Sequence, residues 1–302
     1  MGKNAEHISS KQLTKIFEAT IQGLLGTYQL HQNLGKNGKT ELKINQFGET
    51  TLVLDYEAEE TIIKALTKLD IPMQFFSEEH ESIHVENPRA TVIIDGLDGS
   101  AEYKNKMGKS MYGTMIAVLE GDDPTYDNYI VCGIMIHSPQ PKLYIALRDQ
   151  GCFLIDSMKG TREKLTIKQT DTLSSKSIID LDINWDQLKN VFENVENRIK
   201  FPLMQCLYKS QAARSVLFIT GDIDFQLEVT RKGSMQQNRI GNLEMPCTYG
   251  LIRELGGVMT LADGNSMGPK KFFTFGQGPN LAIIVAPGKA SAKRISKALS
   301  LK

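Results

Sequence analysis

The residues best suited to chemistry are acids, gathered between positions 55 and 98. The stretch FFSEEHESIHVENPRATVIIDGLDGSAEY, residues 75–103, holds Glu78 and Glu79, then Asp95 and Asp98. The β-branched run 91–94 predicts a buried strand, and the two aspartates follow it, three positions apart, in D-G-L-D-G. Strand ends of this kind are where open α/β sheets place ligands. Carboxylates converging with little positive charge among them suit a hard divalent cation such as magnesium, which takes oxygen ligands and works together with substrate phosphate. The carbonyl of Leu97 can join the two aspartates, and Glu78 or Glu79 can supply a further carboxylate. Asp beside Gly also forms plain turns, so these residues alone leave both readings open.

The elements that must position these acids follow from periodicity. Leu13, Ile16, Phe17, Ile21, Leu24 and Leu25 predict a helix over 11–30, capped by Ser9 or Ser10. Residues 31–50 read as a loop or short hairpin. A second amphipathic helix over 55–69 buries Ala58, Ile62, Ile63 and Leu66, and Pro72 ends it. Strands at 112–119, 129–136 and 142–147, the last with a continuation at 151–155, form an antiparallel meander broken by Gly- and Pro-rich turns. From about residue 168, strands (177–181, 225–229, 258–261, 281–285) mix with helices (185–199, 210–219, 244–255, 289–299). The pattern predicts an N-terminal α+β domain, 1–168, and a C-terminal α/β domain, 169–302.

Bulk properties narrow the class. Lys plus Arg and Asp plus Glu each number 35, so the formal charge is zero. That argues against a general binder of nucleic-acid polymer or membrane surface, which carries a basic excess. The content of 41% hydrophobic and 23% charged residues is that of an ordinary globular protein. Cys132, Cys152, Cys206 and Cys247 are scattered without a C-x-x-C pattern, which predicts reduced thiols in a cytoplasmic protein. The polar N-terminus predicts no secretory leader, and Glu6 stands where myristoylation wants Ser or Thr.

The combination S-E-E, strand, I-I-D-G-L-D-G-S resembles the superfamily of metal-dependent, lithium-sensitive phosphatases that includes the inositol monophosphatases, fructose-1,6-bisphosphatases and bisphosphate nucleotidases. Its hallmark is an acidic pair, a strand and D-P-[IL]-D-G-[TS]. Three further segments fall in the same order. T-L-V-L-D-Y-E-A-E, with Asp55, resembles the family's Asp-led helix. S-Q-A-A-R-S-V-L-F-I-T-G-D-I-D-F, from Ser210, resembles its G-S-x-A helix, and N-L-E-M-P-C-T-Y-G-L-I-R-E-L-G-G, with Glu244, resembles its W-D-x-A…E-A-G-G signature. The likeness covers most of residues 50–260.

The resemblance implies a layered α/β/α/β/α sandwich and a phosphoric monoester hydrolase that uses two or three Mg2+ ions, with Mn2+ a substitute. It implies Glu78, Asp95 and the Leu97 carbonyl on a first cation, and Asp95, Asp98 and Glu244 on a second. Asp55, Glu78 and Ser100 would be catalytic, Ser100 and Asp55 orienting or deprotonating a metal-activated water that attacks phosphorus in line. Glu79 would stand behind them. Gly99, Ser100 and Ala101 would offer backbone N–H groups to the phosphate, and Glu228 and Arg239 would touch the rest of the substrate. A homodimer and lithium inhibition are family habits.

Departures from the pattern matter. Gly96 replaces the usual Pro, which is expected to loosen the turn, and Leu243 replaces the usual Trp. Glu244 replaces Asp, as in fructose-1,6-bisphosphatases, whereas the meander G-I-M-I-H-S-P-Q-P-K-L-Y-I-A-L is closer to inositol monophosphatases. The leading substrate is therefore a small polyol or sugar phosphate, nominally inositol monophosphate. The alternatives are fructose-1,6-bisphosphate, a 3′(2′),5′-bisphosphate nucleotide, or a non-catalytic relative that only binds metal or phosphate. The basic residues Arg231, Lys232 and Arg239, between Glu228 and Glu244, could contact a sugar phosphate. Gly108-Lys109-Ser110 lacks the upstream Gly of a P-loop, and His80 and His84 are expected to be surface residues.

Overall fold

The computed structural model describes residues 7–45, 48–80, 82–156, 160–172, 177–182, 203–205, 210–229, 240–261, 263–271 and 282–299. The expected helix over 185–199 lies outside them. Helix α1, Ser10–Leu34, opens on a capping box: Ser9 Oγ accepts the Gln12 N–H, and the Gln12 side chain accepts the Ser9 N–H. It runs past the predicted end because His31 and Leu34 carry its buried stripe onward, His31 to the Tyr112 hydroxyl. Strands β1, Glu41–Ile44, and β2, Thr50–Leu52, form the expected short hairpin. Helix α2, Val53–Thr67, follows directly and places Asp55 in its first turn.

A seven-stranded sheet comes next, in the order β3-β4-β5-β6-β7-β8-β9. Its strands are Met73–Ser77, Ala90–Asp98, Tyr112–Glu120, Tyr129–Ser138, Lys142–Leu147, Gly151–Asp156 and Thr161–Lys164. Strand β3 pairs parallel with β4, and the rest is the antiparallel meander. Residues 151–156 turn back on β7 as the expected meander requires, Asp149 and Gly151 taking positive φ in the turn between them. Helix α3, Ser100–Lys106, separates β4 from β5.

A five-stranded sheet forms from the later chain, in the order β11-β10-β12-β14-β13. Its strands are β10, Ile179–Asp182; β11, Leu203–Gln205; β12, Phe225–Val229; β13, Val258–Leu261; and β14, Ala282–Ala286. The accompanying helices are α4, Gln211–Thr220, α5, Ile240–Glu254, and α6, Lys289–Leu299. The predicted start of α5 at Glu244 is too late. The helix already runs from Ile240, with Pro246 in its interior, which places Glu244 within it.

Side-chain alternation stacks these elements into layers. On one face of the first sheet, Val92, Ile94, Ile116 and Val118 pack against Ile16, Phe17 and Leu24 of α1 and Ile62 and Leu66 of α2. On the other, Ile93, Met115 and Ala117 share a core with Ala212 and Val216 of α4, Leu251 and Ile252 of α5, and Ile283 and Val285 of β14. Helix α6 covers the second sheet from outside, so the arrangement is the expected α/β/α/β/α sandwich.

The second half carries one expensive internal contact. Arg214 of α4, 1% exposed, donates to Asp180 of β10 at 2.5 Å and to Gln211 Oε1 at 3.2 Å. Replacing Arg214 by Met leaves a buried carboxylate without its partner, and should lower unfolding free energy by about 3–5 kcal/mol in urea titration. The double variant R214M/D180L should recover most of that loss.

Candidate active site

Three acids meet at the junction of the layers. One carboxylate oxygen from each of Asp95, Asp98 and Glu244 lies within 4.8 Å of the others, and all three residues are buried. Regular pairing would not bring the two aspartates together, since positions three apart on a strand face opposite ways. A bulge solves this. Asp95 pairs with Met115 and Asp98 with Gly113, so Gly96 and Leu97 stand opposite Thr114 alone. Leu97 swings away into a small core with Leu52, Leu54, Tyr103 and Tyr112, and its N–H donates to Asp95 Oδ1 at 3.0 Å. The acids thus sit on a bulged strand end rather than in a free turn.

Gly96 does not loosen this segment, contrary to expectation. A Cβ there would lie 2.3 Å from the Asp55 carbonyl oxygen and 2.8 Å from Glu59 Cγ. The missing side chain is what lets α2 bring Asp55 against the bulge. Gly99, at φ +88, ends β4 in the left-handed region and packs against Ser210, where a Cβ would meet Ser210 Cβ at 2.9 Å.

Two carboxylates serve as scaffolding. Glu59, fully buried, accepts the backbone N–H groups of Glu78 (3.0 Å), Glu79 (3.2 Å) and His80 (3.1 Å), and also His80 Nδ1–H at 2.7 Å. His80 is therefore not a surface residue: it lies between Glu59 and Glu60 and stacks on Tyr56 at 4.0 Å. His84 is exposed, as expected, against Phe76. Glu79 is gripped by the β1–β2 hairpin. Thr51 Oγ1 and Asn45 Nδ2 donate to its carboxylate, and Lys43 Nζ donates to its carbonyl at 2.7 Å. Asp98 is held from the other half: Ser210 Oγ at 2.5 Å and the Ala212 N–H at 2.6 Å, both at the start of α4, donate to its Oδ2.

Burial and neighbouring charges make the ionised forms of these acids unfavourable. Desolvation first, then the charges of Glu79, Glu78 and Glu59, push the Asp55 pKa well up. Desolvation and then Glu78, Asp98 and Asp55 do the same to Asp95, and desolvation with Glu79 and Glu49 does so to Glu78. Asp98 is raised by desolvation, against which its hydrogen bonds from Ser210 and α4 and the nearby Arg214 pull down. Among the described residues no ion pair reaches Asp55, Glu78, Asp95 or Asp98.

The donor set fits a hard divalent cation. It is all carboxylate oxygen, and the nearest thiol, Cys247, is turned to the carbonyls of Leu243 and Ile93 instead. Glu78 lies outside the 4.8 Å group, half-buried, but its charge acts on Asp95 and Asp55. Ser100 and Ala101 open α3, half-buried and exposed respectively. Glu228 lies in β12 beside Ile283, and Arg231, Lys232 and Arg239 lie outside the described residues.

Sequence reasoning passed over Glu59 and Ser210 as site residues. Both left a signal. Glu59 stands one helical turn from Asp55, on the same face, and Ser210 is a helix-capping residue type just before an apolar run.

A buried cluster of carboxylates that could hold a metal ion, at the junction of the layers of such a sandwich, fits a metal-dependent phosphatase of the layered α/β class. Comparison with known proteins specifies the family. The model of the inositol monophosphatase family matches residues 11–300, so the chain belongs to that family, whose members are phosphoric monoester hydrolases. Several solved structures share the fold. The extragenic suppressor protein suhB of Bartonella henselae has a TM-score of 0.68 at 17% identity, covering 94% of this chain and 98% of its own. The holo fructose-1,6-bisphosphatase of Leishmania major has a TM-score of 0.72 at 13% identity, covering 96% and 95%. An inositol monophosphatase from Anabaena has 0.63 at 17%, covering 95% and 96%. No curated protein sequence matches the chain.

The raised carboxyl pKa values set the sign of a pH effect. Asp55, Glu78 and Asp95 keep their protons in the folded chain above the ordinary carboxylate range of about 4, where the unfolded chain has lost them. Stability without cation therefore falls as pH rises through the elevated folded values. With chelator present, the melting temperature should fall from about pH 5 towards pH 8, and added Mg2+ should raise it most at the higher pH. Calorimetry across that range checks both.

Proposed function

We propose that this phosphatase hydrolyses a small polyol or sugar phosphate with Mg2+, inositol monophosphate being the nominal substrate. The observation that carries the reading is the buried triad Asp95, Asp98 and Glu244 within 4.8 Å, in the family's order along the chain. Asp95, Asp98, Glu244, Glu78 and the Leu97 carbonyl would hold the cations. Once bound, the cations would neutralise the phosphate, activate water and stabilise the leaving alkoxide. Asp55 and Ser100 would orient the attacking water and take its proton, a role suited to an acid whose pKa burial has raised. The N–H groups of Gly99, Ser100 and Ala101, where α3 begins without a side-chain cap, would receive the phosphate. Glu228 and Arg239 would contact the polyol. In this reading the work would divide at about residue 168, with 1–168 carrying most acids and 169–302 carrying Glu244 and the loop that contacts the rest of the substrate. A cytoplasmic homodimer is part of this proposal.

A specific residue favours a second substrate, fructose-1,6-bisphosphate: Glu stands at 244 where the inositol branch has Asp. Phosphate release across inositol phosphates, sugar phosphates and adenosine bisphosphates, with and without Mg2+, separates the two. Asp95→Asn should lower kcat by roughly 10³-fold or more, the order lost when one group stabilising developing charge is removed. Glu244→Asp should retain more activity than Glu244→Ala. Absence of Mg2+-dependent release from every compound would overturn the hydrolase assignment to this substrate class.

A further inference from the structure

The carbonyl of Gly96 lies at the centre of the bulge, where the ladder between β4 and β5 is interrupted. Its partner is a side chain. Thr114, fully buried on β5, donates its hydroxyl to the Gly96 oxygen at 2.7 Å. The same oxygen, Thr114 Oγ1, lies 2.8 Å from Nε2 of His137 on β6. A threonine hydroxyl has one proton, and here it goes to Gly96. His137 must therefore carry its proton on Nε2 and donate it to Thr114. Nδ1 is then an acceptor, and it is buried with no partner among the described residues.

The position of His137 is itself built. Tyr112 pairs with Ser138 and Gly113 with Ile136, so His137 is the extra residue of a second bulge, on the opposite side of β5 from the first. Gly113 allows the close approach beside it, since a Cβ there would stand 2.3 Å from the Met135 carbonyl oxygen. The ring stacks on His31 at 5.1 Å, and His31 in turn meets the Tyr112 hydroxyl at 3.0 Å. An apolar side chain would fill this space without leaving a buried nitrogen unpaired. A histidine that makes one hydrogen bond, to the residue bracing the acidic bulge, calls for a role in that bond.

We propose that Thr114 and His137 are positioning residues that hold the Asp95–Asp98 bulge in the geometry required to bind the cation. They touch neither substrate nor cation. His137 fixes the Thr114 rotamer, Thr114 fixes the Gly96 carbonyl, and that peptide sets the directions of the two aspartates against their mutual repulsion. The inference rests on the reading of Asp95 and Asp98 as cation ligands.

The test is Mg2+ binding to the full-length protein by calorimetry, with the Mg2+ dependence of phosphate release measured alongside. Thr114→Val keeps the shape and removes the hydroxyl. It should weaken Mg2+ binding about 5–10-fold, the effect of losing one buried hydrogen bond. His137→Leu should weaken it about 3-fold, while Thr114→Ser should stay within about 2-fold of the parent. In both weakened variants kcat should recover at saturating Mg2+ with the substrate KM unchanged, a split that general destabilisation does not produce. Folding is followed by urea titration, and if Thr114→Val does not fold, His137→Leu carries the same test through the same bond. Unchanged Mg2+ affinity in a folded Thr114→Val, or failing that in His137→Leu, overturns the positioning role. Failure of the parent protein to bind Mg2+ in an Asp95-dependent way overturns the cation reading instead, so the two failures are distinct.

Discussion

Mutual repulsion among buried carboxyl groups is the constraint on which the rest of the structure depends. Desolvation raises the pKa values of Asp55, Glu78, Asp95 and Asp98, neighbouring acids push Asp55, Glu78 and Asp95 further up, and Glu244 completes the cluster from α5. Left to themselves such groups would separate or take up protons. Donors anchor them at the rim: three consecutive backbone N–H groups on Glu59, the hairpin's side chains on Glu79, and the start of α4 on Asp98. These bonds fix the backbone on both sides of the cluster, and among the described residues no ion pair reaches Asp55, Glu78, Asp95 or Asp98. Acids raised in this way would gain from a metal ion held among them.

The site also ties the two sheets together. Asp95 and Asp98 come from the first sheet, Glu244 from a helix between the sheets, and Ser210 from the neighbouring helix. The same interlayer core, from Ile93 and Met115 to Leu251 and Val285, holds those helices in place. The acid cluster and global packing are thus coupled: a change in how α4 or α5 seats against the first sheet moves Asp98's donors or Glu244. Close-packed interiors transmit such shifts rather than absorb them.

Much was legible in the residues. The acids, their order and the strand before Asp95 stood out through residue type and spacing, and the family likeness chose between a site and a plain turn. The layered fold was legible through periodicity and family likeness. Less visible were features that depend on pairing. The parallel strand β3 leaves no distinctive local pattern, since register and direction are set by partners distant in sequence. Gly96 was misread because a glycine that permits close approach looks, in sequence, like one that permits a turn. His80 was misread for a similar reason: the carboxylate it meets comes from α2, distant in sequence from the segment after β3 where His80 lies.

The sequence by itself determined which groups are available: oxygen ligands for a hard cation, glycines where backbones must meet, and apolar stripes that fold into helices and strands. Those are properties of residue type and short-range spacing. Only the tertiary structure decided that Asp95 and Asp98 share a face, since alternation along a strand would separate them and a bulge against Thr114 does not. It alone decided that Glu59 and Ser210 hold the acids in place, and that Glu244 reaches the aspartates from a helix begun well before it. Convergence of like charges is unfavourable at every local step, so it can arise only where the packing of the whole fold imposes it.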